Sequence, residues 1–207
     1  MRLPLMLFLM AAMVPVFFGK VRAAPLWLAL QALALAWVGV LHHAQWSWHT
    51  LFGVLEVVLM RGVLAPLLLQ RAIRLCAQPD TDLMPSNLFS WAIGIGLMAL
   101  AFDFGGAAMA DGQALALGVV AATVILVLLI LSTNTAPVAQ LVALLFMENA
   151  IAVFESTLTA PWPLPVHLML TAVYLLTAGV GSWLVGQPDR LETATRHHPP
   201  GAGESGT

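Results

Sequence analysis

The chain has 207 residues, of which 60% are hydrophobic and 9% charged, where an ordinary soluble domain carries roughly 45–50% apolar and about 25% charged residues. This balance excludes a water-soluble globular domain, and a formal net charge of −2 with no basic block gives no footing for nucleic acid. The single Cys76 has no second cysteine with which to form an internal disulfide or share a metal.

Seven apolar runs, each close to the ~20 residues that cross a bilayer, occupy residues 2–18, 25–43, 51–74, 86–104, 113–132, 136–158 and 164–186. They lack the alternation of barrel strands, and in lipid each span must satisfy its own backbone. The expectation is an all-α, polytopic integral membrane helical bundle of about seven transmembrane helices over residues 1–186. The first run has the charged start, apolar core and small residues (Ala23, Ala24) of a secretory leader, but Lys20 and Arg22 directly before that point mark it as a span.

Basic residues set the orientation, because cytoplasmic loops are enriched in them. Lys20 and Arg22 follow the first run, Arg71 and Arg74 end the third, and Arg190 and Arg196 follow the seventh, against only Arg2 on the other side. This places the N-terminus outside and the C-terminus inside. Trp46, Trp48 and Trp162 fall at outer headgroup level and Trp27, Trp91 and Trp183 at the inner one, with Trp37 alone in mid-span. The tail 187–207 is polar and rich in Gly and Pro and is expected to be a disordered cytoplasmic segment, its His197 and His198 too few for a metal tract.

Polar residues inside the runs are the candidates for function, since a charge at the bilayer centre costs roughly 2.5–3.5 kcal/mol or more. The outer loop HHAQWSWHT holds His42, His43 and His49, but no second histidine cluster stands opposite, so no metal is expected there. In the third run Glu56 and Arg61 are five residues apart, about 140° around an α-helix, so they are not an ideal pair. Arg61 is expected to meet a carboxylate from another helix or subunit, and Pro66 to kink the span. AIGIGLMAL in the fourth run is a packing pattern and no nucleotide loop, and Asp103 falls at an outer end.

The sixth run contains LLFMENAIAVFESTL, with Glu148 near its middle and Glu155 seven residues on, within about 20° of the same face and about 10 Å further out. A stripe of two acids turned to the bundle interior would form one stage of a proton path, with Gln140 extending it inward; the alternative is a protonated glutamate that merely holds helices together. His167 lies at the outer end of the seventh run.

Two of these stretches together resemble a family. QLVALLFMENAIAVFE, with the Met147-Glu148-Asn149 triplet at its centre, and RGVLAPLLLQRAIR in the third run are similar to the signature of hydrogenase-4 component E. That membrane subunit is related to the K subunit of complex I and to a small subunit of multisubunit cation/proton antiporters. The resemblance spans roughly residues 51–186, and the last three spans, 113–186, suit the three-helix K subunit.

The resemblance implies that Glu148 is the family's intramembrane glutamate on a lateral polar axis, and that Arg61 stands where lysine is usual. There are departures. The acid at the outer start of the last span becomes His167, the next one becomes Val173 beside Tyr174, and the basic residue before the sixth span is replaced within STNTAP. Glu56 and Glu155 are not expected from the family, and Glu155 or His167 would have to reroute the outer half of a path.

The function so implied is that of a non-redox membrane-arm subunit of a hydrogenase-4-like or complex-I-like assembly in a bacterial inner membrane. Such a subunit is itself non-catalytic. It contributes a proton pathway of Glu148, Arg61, Glu155, Glu56, His167 and Gln140 and a contact surface for antiporter-like and other membrane subunits. It would hold no cofactor of its own. Iron-sulfur centres, with or without nickel-iron sites, would belong to its partners. The rival readings are a component of a cation/proton antiporter and a purely structural scaffold.

Overall fold

The computed structural model describes residues 2–18, 20–42, 48–75, 82–84, 88–108, 113–158 and 162–187. His43, Trp46, Cys76, the side chains of His42 and His49 and the tail from residue 188 lie outside the described residues, and with them the readings of the histidine loop, the free thiol and the tail. Among the described residues there is no strand, only an isolated bridge between Lys20 and Asp82.

The helices follow the apolar runs closely. α1 (Arg2–Phe18) leads through a 3₁₀ turn (Val21–Ala23) into α2 (Ala24–His42). The third run comprises α3 (Trp48–Glu56), a π-helical segment (Val57–Leu64) and α4 (Ala65–Arg74). After it come α5 (Leu88–Ala108), α6 (Ala114–Thr133), α7 (Pro137–Thr157) and α8 (Leu164–Val185). Six of these spans are long and apolar enough to cross a membrane, and α1 is apolar but shorter. The chain is a multi-pass membrane protein built as an all-α bundle.

Proline and asparagine set the helix starts. Pro137 occupies the first turn of α7, where its missing N–H costs nothing. Just before it, the Asn134 side-chain oxygen accepts from the Ala136 N–H (2.9 Å), while its amide nitrogen donates to the Asp82 carbonyl (2.9 Å). One side chain thus shapes the α6–α7 turn and ties it to the segment 82–84. The end of the bundle with this turn, Lys20 and Arg74 is the lower one; the end with Trp48 and Thr157 is the upper.

The core lies along α2, α6 and α7. Leu28, Ala32, Leu35 and Val38 of α2 meet the buried faces of α1 and α7, and Val119, Ala122, Leu126 and Ile130 carry α6 against α1, α5 and α7. α5 and α6 approach most closely at their upper ends, where a Cβ on Gly105 would sit 2.7 Å from the Gly118 backbone nitrogen and 2.8 Å from the Ala114 carbonyl. By contrast the span 51–74 and α8 are peripheral, with only 17% of each apolar window buried against 56% for α7. Their outer faces are left to lipid or to other chains.

The third span departs from the kinked α-helix that Pro66 predicts. Pro66 has no N–H for the Gly62 carbonyl, and its ring crowds that position. The chain accommodates this by widening the preceding turns to i→i+5 bonding, as in Ala65 N–H to Met60 O. A π turn holds more residues than an α turn, so Arg61 comes back toward the side of Glu56: Glu56 bonds His167 and Thr171, and Arg61 lies over the Tyr174 ring, all three on α8. The pair that spacing set on different faces therefore shares the side turned toward α8.

The α5–α6 approach is open to test by paired glycine substitutions in the detergent-solubilised chain. Gly105→Ala should lower stability by about 1–3 kcal/mol through overpacking against backbone, seen as a fall of several degrees in the thermal midpoint. Gly106→Ala, whose Cβ would have nothing within 4 Å, should leave that midpoint unchanged or slightly raised.

Candidate functional site

Arg61, Glu148, Glu56, Glu155 and His167, with the polar side chains bonded to them, form two tiers between α3 and the π segment, α7 and α8, with α2 behind. α8 supplies a stripe for both. His167, Thr171 and Tyr174 lie at i, i+4 and i+7, one above another on the face turned to α3, the π segment and α7.

The middle tier centres on Arg61, which is 5% exposed. Its Nη1 donates to Asn149 Oδ1 at 3.0 Å, and Asn149 Nδ2 donates in turn to Gln31 Oε1 at 3.1 Å. The guanidinium also lies over the Tyr174 ring, 4.2 Å from its centroid. Three helices and the π segment meet on this one cation, through an amide chain on one side and an aromatic face on the other. Asn149, Gln31 and Tyr174 are all fully buried.

Of the two sources of a carboxylate expected for Arg61, another helix and another subunit, the first is corrected. Among the described residues it makes no ion pair. Glu148 points elsewhere, because a step of one residue turns about 100° around α7: Asn149 faces α2 and the π segment, while Glu148 faces α8. Both Glu56 and Glu148 nonetheless lie within the electrostatic reach of Arg61.

Glu148 Oε1 accepts from the Thr177 hydroxyl at 2.8 Å. Its Oε2 is buried and has no hydrogen-bond partner among the described residues, as is also true of Tyr174 Oη, Gln31 Nε2 and Ser182 Oγ.

The upper tier is a carboxylate-imidazole-carboxylate triad. His167 Nε2 lies 3.0 Å from Glu56 Oε2, and Nδ1 lies 3.0 Å from Glu155 Oε1. Thr171 donates to the other Glu56 oxygen at 2.8 Å. The triad joins α3, α7 and α8, and each ring nitrogen already faces an oxygen of one carboxylate. Among the described residues no group of three His, Cys, Asp or Glu is arranged to hold a metal ion.

Five of the six residues of the sequence-derived pathway thus fall into this region: Glu148 and Arg61 in the middle tier, Glu56, Glu155 and His167 in the upper one. Glu155 and His167, which their positions near a helix end would allow to be solvated, are bonded to each other instead. Gln140 is a correction. Its Nε2 donates to the Asn134 carbonyl at 3.3 Å, so it braces the α6–α7 turn at the lower end and does not extend the Glu148 stripe. Eight residues from Glu148 it is turned by about 80°, enough to leave the α8 face.

Sequence reasoning missed Asn149 and Tyr174 as partners of Arg61, Gln31 as the acceptor behind Asn149, and Thr171 and Thr177 as donors to Glu56 and Glu148. The available signals were an amide in the otherwise apolar run LALQALALAW, the polar third member of the Met-Glu-Asn triplet and the single tyrosine of the chain. Comparison with family models, with curated proteins and with solved structures returns no match.

The middle tier makes a stability prediction. Asn149→Leu keeps the forked outline of the side chain but strips both the guanidinium and the Gln31 amide of a partner, and should cost about 2–3 kcal/mol in thermal or denaturant unfolding of the solubilised chain. Tyr174→Phe retains the ring face under Arg61 and should cost little, whereas Tyr174→Leu should lose about 1 kcal/mol more.

Proposed function

We propose that the chain is a non-redox subunit in the membrane arm of a hydrogenase-4-like or complex-I-like assembly of a bacterial inner membrane. Glu148 is its proton-exchanging carboxyl. The observation that carries this reading is the setting of Glu148: one oxygen is held by Thr177, the other is buried without a hydrogen-bond partner among the described residues, and the group lies within electrostatic reach of the buried Arg61 guanidinium. A buried carboxyl oxygen left without a bond is costly for a contact that only joins helices, and it suits a group that takes up and releases a proton. Glu148 has one oxygen to spare.

Arg61 suits the same role. Its charge persists through any protonation change of the neighbouring acids, so it biases each of them without entering the exchange. The sparsely buried span 51–74 and α8 supply the contact surface that antiporter-like neighbours need, and they carry the polar tiers on their inner side. Redox centres, iron-sulfur with or without nickel-iron, belong in this reading to partner subunits. The resemblance of the Met147-Glu148-Asn149 region and of the third span points the same way.

Two measurements test the reading. Affinity purification of the native assembly from solubilised membranes should recover subunits with redox centres; recovery of a cation/proton antiporter without them, or of the chain alone, overturns it. In membrane vesicles bearing the redox assembly, Glu148→Gln should retain subunit composition and hydrogen-bonding shape. It should lower protons translocated per electron transferred at least tenfold. Unchanged coupling would make Glu148 structural.

A further inference from the structure

The Glu155-His167-Glu56 triad has a property that neither glutamate has alone. Both ring nitrogens of His167 are within 3.0 Å of a carboxylate oxygen, one on α7 and one on α3. A neutral imidazole donates from one nitrogen and accepts at the other, so at the accepting nitrogen the facing carboxyl must carry the proton. An imidazolium donates from both. The arrangement therefore has three forms of one protonation state, with the mobile proton on Glu155, on His167 or on Glu56, and the net charge is −1 in each.

We infer that His167 is a two-sided proton relay that passes protons between Glu155 and Glu56. The step balances without any co-reactant. The Glu155 hydroxyl gives its proton to Nδ1 and becomes a carboxylate, while the Nε2–H proton moves to Glu56 Oε2 and makes a carboxylic acid. No bond to carbon changes, and no electron is transferred. One proton crosses from α7 to α3 while the triad's charge stays constant, so the low-dielectric surroundings impose no penalty for net charging.

The donor-acceptor separations are already those of proton transfer, within 2.6–3.2 Å. Thr171 holds the remaining Glu56 oxygen, which fixes the accepting carboxyl relative to the ring. For a further transfer the ring N–H must return from Nδ1 to Nε2, by reorientation or by exchange through water. The His167 side chain is 36% exposed, so packing does not lock it. Glu56 stands above Arg61 on the same side of its helix, and the relay thus delivers toward the tier that holds Glu148.

This inference rests on Glu148 being a proton-exchanging group, and the test separates the two. In vesicles with the native redox assembly, protons translocated per electron are compared for Glu148→Gln, His167→Gln and His167→Ala. A glutamine amide still bonds both carboxylates but carries no transferable proton, so His167→Gln should fall at least tenfold, together with His167→Ala. Free imidazole at millimolar concentration should raise His167→Ala at least fivefold and leave the parent unaffected.

Loss in Glu148→Gln with at least half of parental coupling in His167→Gln overturns the relay and leaves the proposed function standing. So does a His167→Ala assembly that imidazole leaves flat, since His167 would then only brace the helices. Unimpaired Glu148→Gln overturns both.

Discussion

A charge inside hydrocarbon has to be satisfied by the protein itself, and in this bundle the side chain that imposes that condition most severely is the Arg61 guanidinium. It cannot be neutralised, it is buried, and it lies at the middle of a span. Asn149 of α7 and the Tyr174 ring of α8 answer it directly, and Gln31 of α2 completes the amide chain. These partners come from three different helices, so one cation sets the rotation of each helix about its own axis. The apolar core alone would specify that rotation less sharply, because Leu, Val and Ala on neighbouring faces are nearly interchangeable in packing.

The π-helical segment is what brings Arg61 to this position. Pro66 removes a backbone donor, and the widened turn that accommodates it also swings Arg61 toward the side of Glu56. The same backbone irregularity thus aligns the two charged residues of the third span along α8. π turns are uncommon and recur at functional sites, and here the link is mechanical: an α-helical third span would present either Glu56 or Arg61 to α8, but not both. The polar tiers and the peripheral placement of their two outer helices then belong together. A subunit that exchanges protons sideways with neighbours needs its titratable groups near the bundle's rim, and in the proposed function that is what the span 51–74 and α8 provide.

Much of the fold is legible in the order of the residues. The seven apolar runs match the helices to within a few residues, and α7 carries Glu148 and Glu155 on nearly one face, as their seven-residue spacing requires. Arg61 is legible as an intramembrane charge, though its partners are not. Gln140 misleads, because an amide eight residues before Glu148 reads as part of a stripe until the α6–α7 turn claims it. His167 and Glu155 read as residues at helix ends, where water is close. Nothing local marks them as partners, for the residue that ties His167 to the third span, Glu56, is 111 positions away.

What the sequence by itself determined is the number, length and helical nature of the spans. The reason is local: in lipid each segment must close its own backbone hydrogen bonds, so an apolar run of sufficient length has one solution whatever surrounds it. What only the tertiary structure decided is which polar groups meet. Arg61 reaches Asn149 across 88 residues and Asn149 reaches Gln31 across 118. Those meetings depend on how each helix is turned and on a π segment that resets the angular count partway along one of them. Periodicity read along a single helix cannot register either, since both are settled by side chains on other helices.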